Sequence, residues 1–162
     1  MPRQRPANGR SARDQALGLL ARREQSAREL EAKLLARGCA ASEAQEVIDQ
    51  LKARDYQSDE RFAASLARQR SGQGYGPRRI EAELQSHGIA DARIRAALDD
   101  LDMDWTALAA AQLRRRRVGS GRIGASERAR HVAFLLRRGF DGPTVRAAFQ
   151  MLGGDAGGAL GD

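Results

Sequence analysis

Leu34-Leu35-Ala36-Arg37-Gly38, Leu84-Gln85-Ser86-His87-Gly88 and Leu135-Leu136-Arg137-Arg138-Gly139 are three versions of one segment, with their glycines 50 and 51 residues apart. Each has a leucine four residues before the glycine. Six residues after the glycines stand Ala44, Ile94 and Val145; ten after, Ile48, Leu98 and Phe149; thirteen after, Leu51, Leu101 and Leu152. Apolar columns spaced by three and four residues mark one face of a helix. A glycine just past such a face takes the left-handed conformation that stops it. Columns held in register across three copies define a repeat.

Each copy reads as three helices. In the first, Ser11 caps a helix reaching about Arg23, and Ser26 with Glu29 forms a capping box for a second, whose apolar face is Ala27, Leu30 and Leu34. Ser42 is the expected cap of the third. The same scheme starts helices at Ser58, Pro77 and Asp91 in the second copy, and at Asp104, Ser126 and the Gly142-Pro143 pair in the third. The repeats are therefore expected at 12–57, 58–104 and 105–152. A basic stretch, 1–11, and a glycine-rich one, 153–162, flank them and are expected to be disordered. Units that bury their faces only against neighbours stack into an elongated, curved, all-α body.

Composition agrees with helices. The 162 residues include 30 Ala and 17 Leu, against only 11 Val, Ile and Thr together. Ala and Leu favour helices, and a sheet wants the β-branched residues that are scarce here. The single cysteine, Cys39, excludes an internal disulfide framework and a cysteine-based zinc site; after Gly38 it reads as a small buried hydrophobe. No stretch approaches the ~20 apolar residues of a membrane-spanning helix. The first residues lack the apolar run of a secretory signal. These features predict a reduced, cytoplasmic protein.

Charge is unevenly placed. Residues 12–57 balance eight basic against eight acidic side chains, 58–104 have seven against nine, and 105–150 have ten against two. The third repeat thus concentrates positive charge, with Arg114, Arg115, Arg116 and Arg117 in one run. An arginine-rich stretch of this kind is the footprint of a polyanionic partner or an acidic protein surface. Four consecutive residues span a full helical turn, so these arginines cannot share one face.

Catalytic signatures are missing. There is no phosphate-cradling Gly-x-x-x-x-Gly-Lys-Ser/Thr, no His-Glu-x-x-His and no recognisable Ser/His/Asp arrangement. Asp100-x-Asp102-x-Asp104 has the start of a calcium loop, but Trp105 stands where that loop needs glycine and Ala111 where it needs glutamate. His87 and His131 have no partners at metal-ligand spacing and are expected at the surface or a boundary. The reading is a protein without catalytic residues, metal or cofactor.

Three stretches carry a further likeness: Arg22-Arg23-Glu24-Gln25-Ser26, Gly74-Tyr75-Gly76-Pro77-Arg78-Arg79-Ile80 and Phe134-Leu135-Leu136-Arg137-Arg138-Gly139-Phe140. Over roughly residues 12–152 the chain resembles the RecX family of bacterial regulatory proteins, which modulate the recombinase RecA. The resemblance implies tandem three-helix units and no catalytic activity. It also implies binding along the groove of the RecA filament on single-stranded DNA. There the family restrains filament growth, strand exchange, ATP hydrolysis and the repressor cleavage of the SOS response.

The residues expected to meet such a partner are Arg22 and Arg23, Tyr75, Arg78 and Arg79, Arg114 to Arg117, and Arg137 and Arg138. For Arg22 and Arg23 the competing role is a cation at a helix C-terminus. For the 72–79 loop, free amides at the helix start would offer an anion site and Tyr75 a surface for a base. The competing role is a plain connection. Partner protein and direct DNA contact both stay open, as a monomer with no membrane association.

Overall fold

The three glycine turns that organise the sequence share one backbone geometry. Gly38, Gly88 and Gly139 have φ of +88°, +72° and +97°. The residue after each donates its N–H to the leucine four residues before the glycine: Cys39 to Leu34 at 3.1 Å, Ile89 to Leu84 at 3.2 Å and Phe140 to Leu135 at 3.2 Å. This closes the helix end. Cys39, Ile89 and Phe140 are all buried, and so are the three leucines. Burying each leucine contributes about 1.5–3 kcal/mol. The turn therefore joins a backbone stop to an apolar anchor three times.

In this computed structural model the described residues are 9–116, 118 and 122–157. Among them there are nine helices and no strand: α1 (Ala12–Leu20), α2 (Ala27–Ala36), α3 (Ala41–Ala53), α4 (Asp59–Gly72), α5 (Pro77–Ser86), α6 (Asp91–Asp99), α7 (Trp105–Arg115), α8 (Ala125–Arg137) and α9 (Gly142–Gly157). The fold is all-α, as the sequence predicts. α1 stops at Leu20 rather than near Arg23, and α9 is helical beyond Leu152.

The caps divide into expected and unexpected ones. Ser11, Ser26, Ser58 and Asp104 accept the amides of Asp14, Glu29, Arg61 and Ala107. Only half of the capping box forms, because the Glu29 carboxylate is taken by Arg23 and Lys33. Ser42, Asp91 and Ser126 are not caps; they lie inside α3, α6 and α8. Ala40 and Gly124 hold the N-cap positions of α3 and α8 without a side-chain bond. The glycine turn explains the shift at α3 and α6: with the residue after the glycine buried, the next helix starts from the following residue, Ala40, Ala90 or, before α9, Asp141. Only Asp141 has a capping side chain, accepting the Thr144 amide at 2.8 Å.

The chain forms two compact units, and they do not follow the repeat boundaries. Of the described residues, one unit contains those up to 65 together with 84–97; the other contains 66–83 and those from 98 to 157. The middle repeat is shared between them. The first unit is centred on Ala12, Ala16, Leu30, Leu34, Ile48 and Leu51. The second is centred on Ala110, Leu113, Leu135, Phe140, Val145 and Phe149. Leu98 and Leu101, expected in the core by their columns, are only partly buried. His131 is buried on α8, against the expectation of a surface or boundary place, with its Nε2 3.7 Å from Glu127.

Candidate partner-binding surface

In the second unit the start of α5 lies against the turn that ends α8. The Gly76 amide donates to the Arg138 carbonyl at 2.8 Å, and the Arg78 amide to the Gly139 carbonyl at 3.0 Å. Two main chains come this close only because both sides lack a side chain. A Cβ on Gly76 would stand 2.5 Å from the Gly139 carbonyl carbon, and one on Gly139 would stand 2.5 Å from the Arg79 nitrogen. The Gly-x-Gly-Pro motif is thus half of a backbone clasp, and Gly139 is the other half. The expected anion site at this helix start is not available, because the carbonyls of Arg138 and Gly139 already occupy these amides.

The clasp sets the side chains around it. The Arg138 guanidinium lies over the Tyr75 ring, with its Cζ 4.5 Å from the centroid; Arg79 lies over the same ring at 4.3 Å. Arg138 is also 5.4 Å from the Phe134 centroid, and Arg116 covers Phe134 at 4.1 Å. Arg138 Nη1 is tied to the Gln73 carbonyl at 3.1 Å. The result is a line of alternating groups, Arg79, Tyr75, Arg138, Phe134 and Arg116. Each cation–π contact contributes about 0.5–1 kcal/mol where exposed. Tyr75 therefore serves first to hold two guanidiniums. Held over rings, the guanidiniums would lose little further freedom on meeting carboxylates or phosphates.

Beside this line is a cavity of about 600 Å³ lined by Arg70, Gln73, Tyr75, Arg79, Ala82 and Glu83. Arg70 grips Glu83 with two bonds, Nε to Oε2 at 2.8 Å and Nη2 to Oε1 at 2.6 Å. The Glu83 bonds raise the Arg70 pKa further and keep it charged. This pair braces α4 against α5.

The other expected residues divide by what they touch. Arg78 is exposed and near Asp141, whose carboxyl is held below its usual value first by the Thr144 hydrogen bonds and then by Arg78 and Arg146. Arg114, Arg115 and Arg137 are exposed without an ion pair among the described residues; Arg117 lies outside the described residues. Arg23 is engaged within the fold: it pairs with Glu29 and donates to the Glu24 carbonyl at 2.9 Å. Burial alone would raise the Glu29 pKa, but the bonds from Arg23 and Lys33 outweigh it and lower the value. Arg22, its neighbour, takes no such partner among the described residues.

Phe134 belongs to this line and Arg128 to a separate contact, and neither is among the residues expected to meet a partner. Phe134 and Arg138 are four residues apart on α8, a pairing that helical spacing makes legible. Arg128 covers Phe149 at 4.3 Å across two helices, which no local pattern announces. A similar joint occurs in the first unit, where the start of α2 meets the turn after α5. There Ser26 Oγ and His87 Nδ1 are hydrogen-bonded at 2.9 Å, Arg28 donates to the Ser86 carbonyl at 3.1 Å, and the His87 ring packs 4.7 Å from Phe62. Among the described residues no group of side chains could hold a metal ion, and no helix is long and apolar enough to cross a membrane.

Tandem three-helix domains joined at glycine turns, with arginines laid on aromatic rings, define a helical-repeat protein. Two family profiles match the chain: the first three-helix domain of RecX over residues 12–51 and the second over residues 58–98. A regulatory protein RecX of Xanthomonas oryzae pv. oryzae is 45% identical over 148 residues, covering 88% of this chain and 92% of that one. The regulatory protein RecX of Stenotrophomonas maltophilia is 44% identical over 133 residues, covering 82% of each. The chain belongs to the RecX family of regulatory proteins. Its fold is similar to the crystal structure of RecX from Lactobacillus salivarius, with a TM-score of 0.71 at 23% identity, covering 88% of this chain and 94% of that one.

Proposed function

We propose that this protein binds the filament that RecA forms on single-stranded DNA and restrains its activities: growth, strand exchange, ATP hydrolysis and repressor cleavage. It acts as a non-enzymatic, cytoplasmic monomer. Family membership supports a regulatory role. The observation that carries the rest is the line Arg79, Tyr75, Arg138, Phe134 and Arg116, which presents held guanidiniums to a surface of carboxylates and phosphates. A filament offers both kinds of anion.

The test is the DNA-dependent ATPase rate of RecA against added protein. Arg79→Ala with Arg138→Ala should raise the inhibitory concentration at least tenfold, about 1.4 kcal/mol of binding. Circular dichroism must show the variant folded. Normal inhibition by that variant would reject the reading.

A second reading, direct DNA binding, is favoured by Arg114 and Arg115 in the most basic repeat, which are exposed and without an ion pair among the described residues. A free-standing DNA binder loses about 10³–10⁵ in affinity between 50 and 200 mM salt for 6–10 phosphate contacts. A filament regulator acts well below the concentration it needs on bare DNA.

A further inference from the structure

The first 23 residues carry six arginines against one acidic side chain, Asp14. The even balance of residues 12–57 does not show this surplus, which straddles the start of that repeat. Around α1 is a cavity of about 460 Å³ whose walls include Arg10, just before the helix, Arg22, just after it, and Arg37, at the end of α2. All three arginines are exposed, and their guanidiniums have no ion pair or hydrogen bond among the described residues. Other arginines of this unit find carboxylates: Arg23 pairs with Glu29, and Arg61 with Glu24 and Asp55. Asp14, also on the wall, already accepts the Ser11 hydroxyl at 2.7 Å. Three cations therefore face one anion.

The exposure of the three guanidiniums selects the kind of anion. An ion pair between solvent-exposed groups gains little over hydration, so a protein carboxylate meeting them is held weakly. A protein partner also needs a desolvated anchor. The wall has no aromatic ring, and Leu19, its one large apolar residue, is only 7% exposed. A nucleic-acid backbone differs. Each phosphate that is neutralised releases condensed counterions, and that gain does not require burial. With no ring on which a base would stack, the contact is made to phosphates alone and carries no sequence information.

We propose that the first unit binds a nucleic-acid phosphodiester backbone at this cavity, without base preference, through Arg10, Arg22 and Arg37. The site rests on the direct-DNA reading only for the class of its ligand. Arg114 and Arg115 belong to the other unit, so the two surfaces are tested apart.

The experiment measures the affinity of the full chain for a short oligothymidylate between about 50 and 200 mM salt. On a single strand each phosphate contact contributes about 0.7 to the logarithmic salt slope. Arg10→Ala with Arg22→Ala and Arg37→Ala should therefore flatten the slope by about 2 and weaken binding at the lowest salt roughly tenfold or more. Arg54→Ala with Arg93→Ala and Arg95→Ala removes the same charge from exposed positions of the same unit and should leave both nearly unchanged. With the wild type, oligothymidylate should shift the Gly18 amide saturably in NMR spectra, and a mixed-sequence strand of equal length should bind alike. The proposal is overturned by a wild-type slope in the cavity variant, by an equal loss in the charge-matched variant, or by absent Gly18 shifts. It is also overturned if acetyl-Gly-Glu-Glu-Gly-amide shifts Gly18 at lower concentration than the oligonucleotide. If only Arg114→Ala with Arg115→Ala flattens the slope, the direct-DNA reading stands and this site falls. If only the cavity variant does, this site stands and the role of Arg114 and Arg115 falls.

Discussion

Replacing Gly139 by alanine should injure the protein more than the same change at either of the equivalent glycines. All three have positive φ, so each alanine incurs about 1–2 kcal/mol of left-handed strain. At Gly38 nothing lies within 4 Å of the new Cβ, and the strain is the whole effect. At Gly88 the nearest atoms are the end of the Arg28 side chain at 3.3 Å, which can swing away. At Gly139 the Cβ meets the Arg79 nitrogen at 2.5 Å and the Arg79 Cβ at 2.6 Å, and neither can move without the helix. The start of α5 must back off, weakening the Gly76–Arg138 and Arg78–Gly139 bonds at about 0.5–1.5 kcal/mol each. Gly139→Ala should therefore cost about 2–5 kcal/mol against about 1–2 for Gly38→Ala. Urea midpoints measured side by side read the order Gly38, then Gly88, then Gly139. Equal midpoints for the first and last would refute the clasp as the reason for glycine there. If the proposed filament binding holds, the variant should also lose inhibition of RecA, because Arg138 and Tyr75 depend on the same contact.

Leu84 is fully buried, so Leu84→Ala should cost about 2–5 kcal/mol, while Gln85→Ala on the exposed side should stay within about 0.5 kcal/mol; denaturant midpoints separate them. Asp141→Ala should lose about 0.5–2 kcal/mol as a missing cap, whereas Ser42→Ala, inside α3, should show no capping loss in the same assay. Glu29 has a lowered pKa in the fold, so its bonds stabilise the protein at neutral pH and that contribution fades as pH falls through the lowered value. The stability gap between the wild type and Glu29→Gln should accordingly shrink below the ordinary glutamate value of 4.5, and a gap that widens in acid would show the sign to be wrong.

The repeat, the helical class and the stopping glycines are legible in the chain because each is a local matter. Backbone stops, apolar spacing and side-chain entropy act within a few turns of one helix. Caps are legible only where no stronger anchor competes: Ser11, Ser26, Ser58 and Asp104 hold their places, while the buried residue after each glycine moves the start of the next helix away from Ser42 and Asp91. The arginine-rich motifs also stand out as unusual chemistry, yet their roles do not. Arg22 and Arg23 are neighbours of identical type, but a carboxylate from α2 occupies one and a cavity adjoins the other. Tyr75, Arg79 and Arg138 become one line only because Gly76 and Gly139, 63 residues apart, meet without side chains. Composition and spacing determine which helices form and where they stop. Tertiary structure decides which guanidiniums keep their charge available, because pairing depends on distance in space and sequence separation says nothing about it.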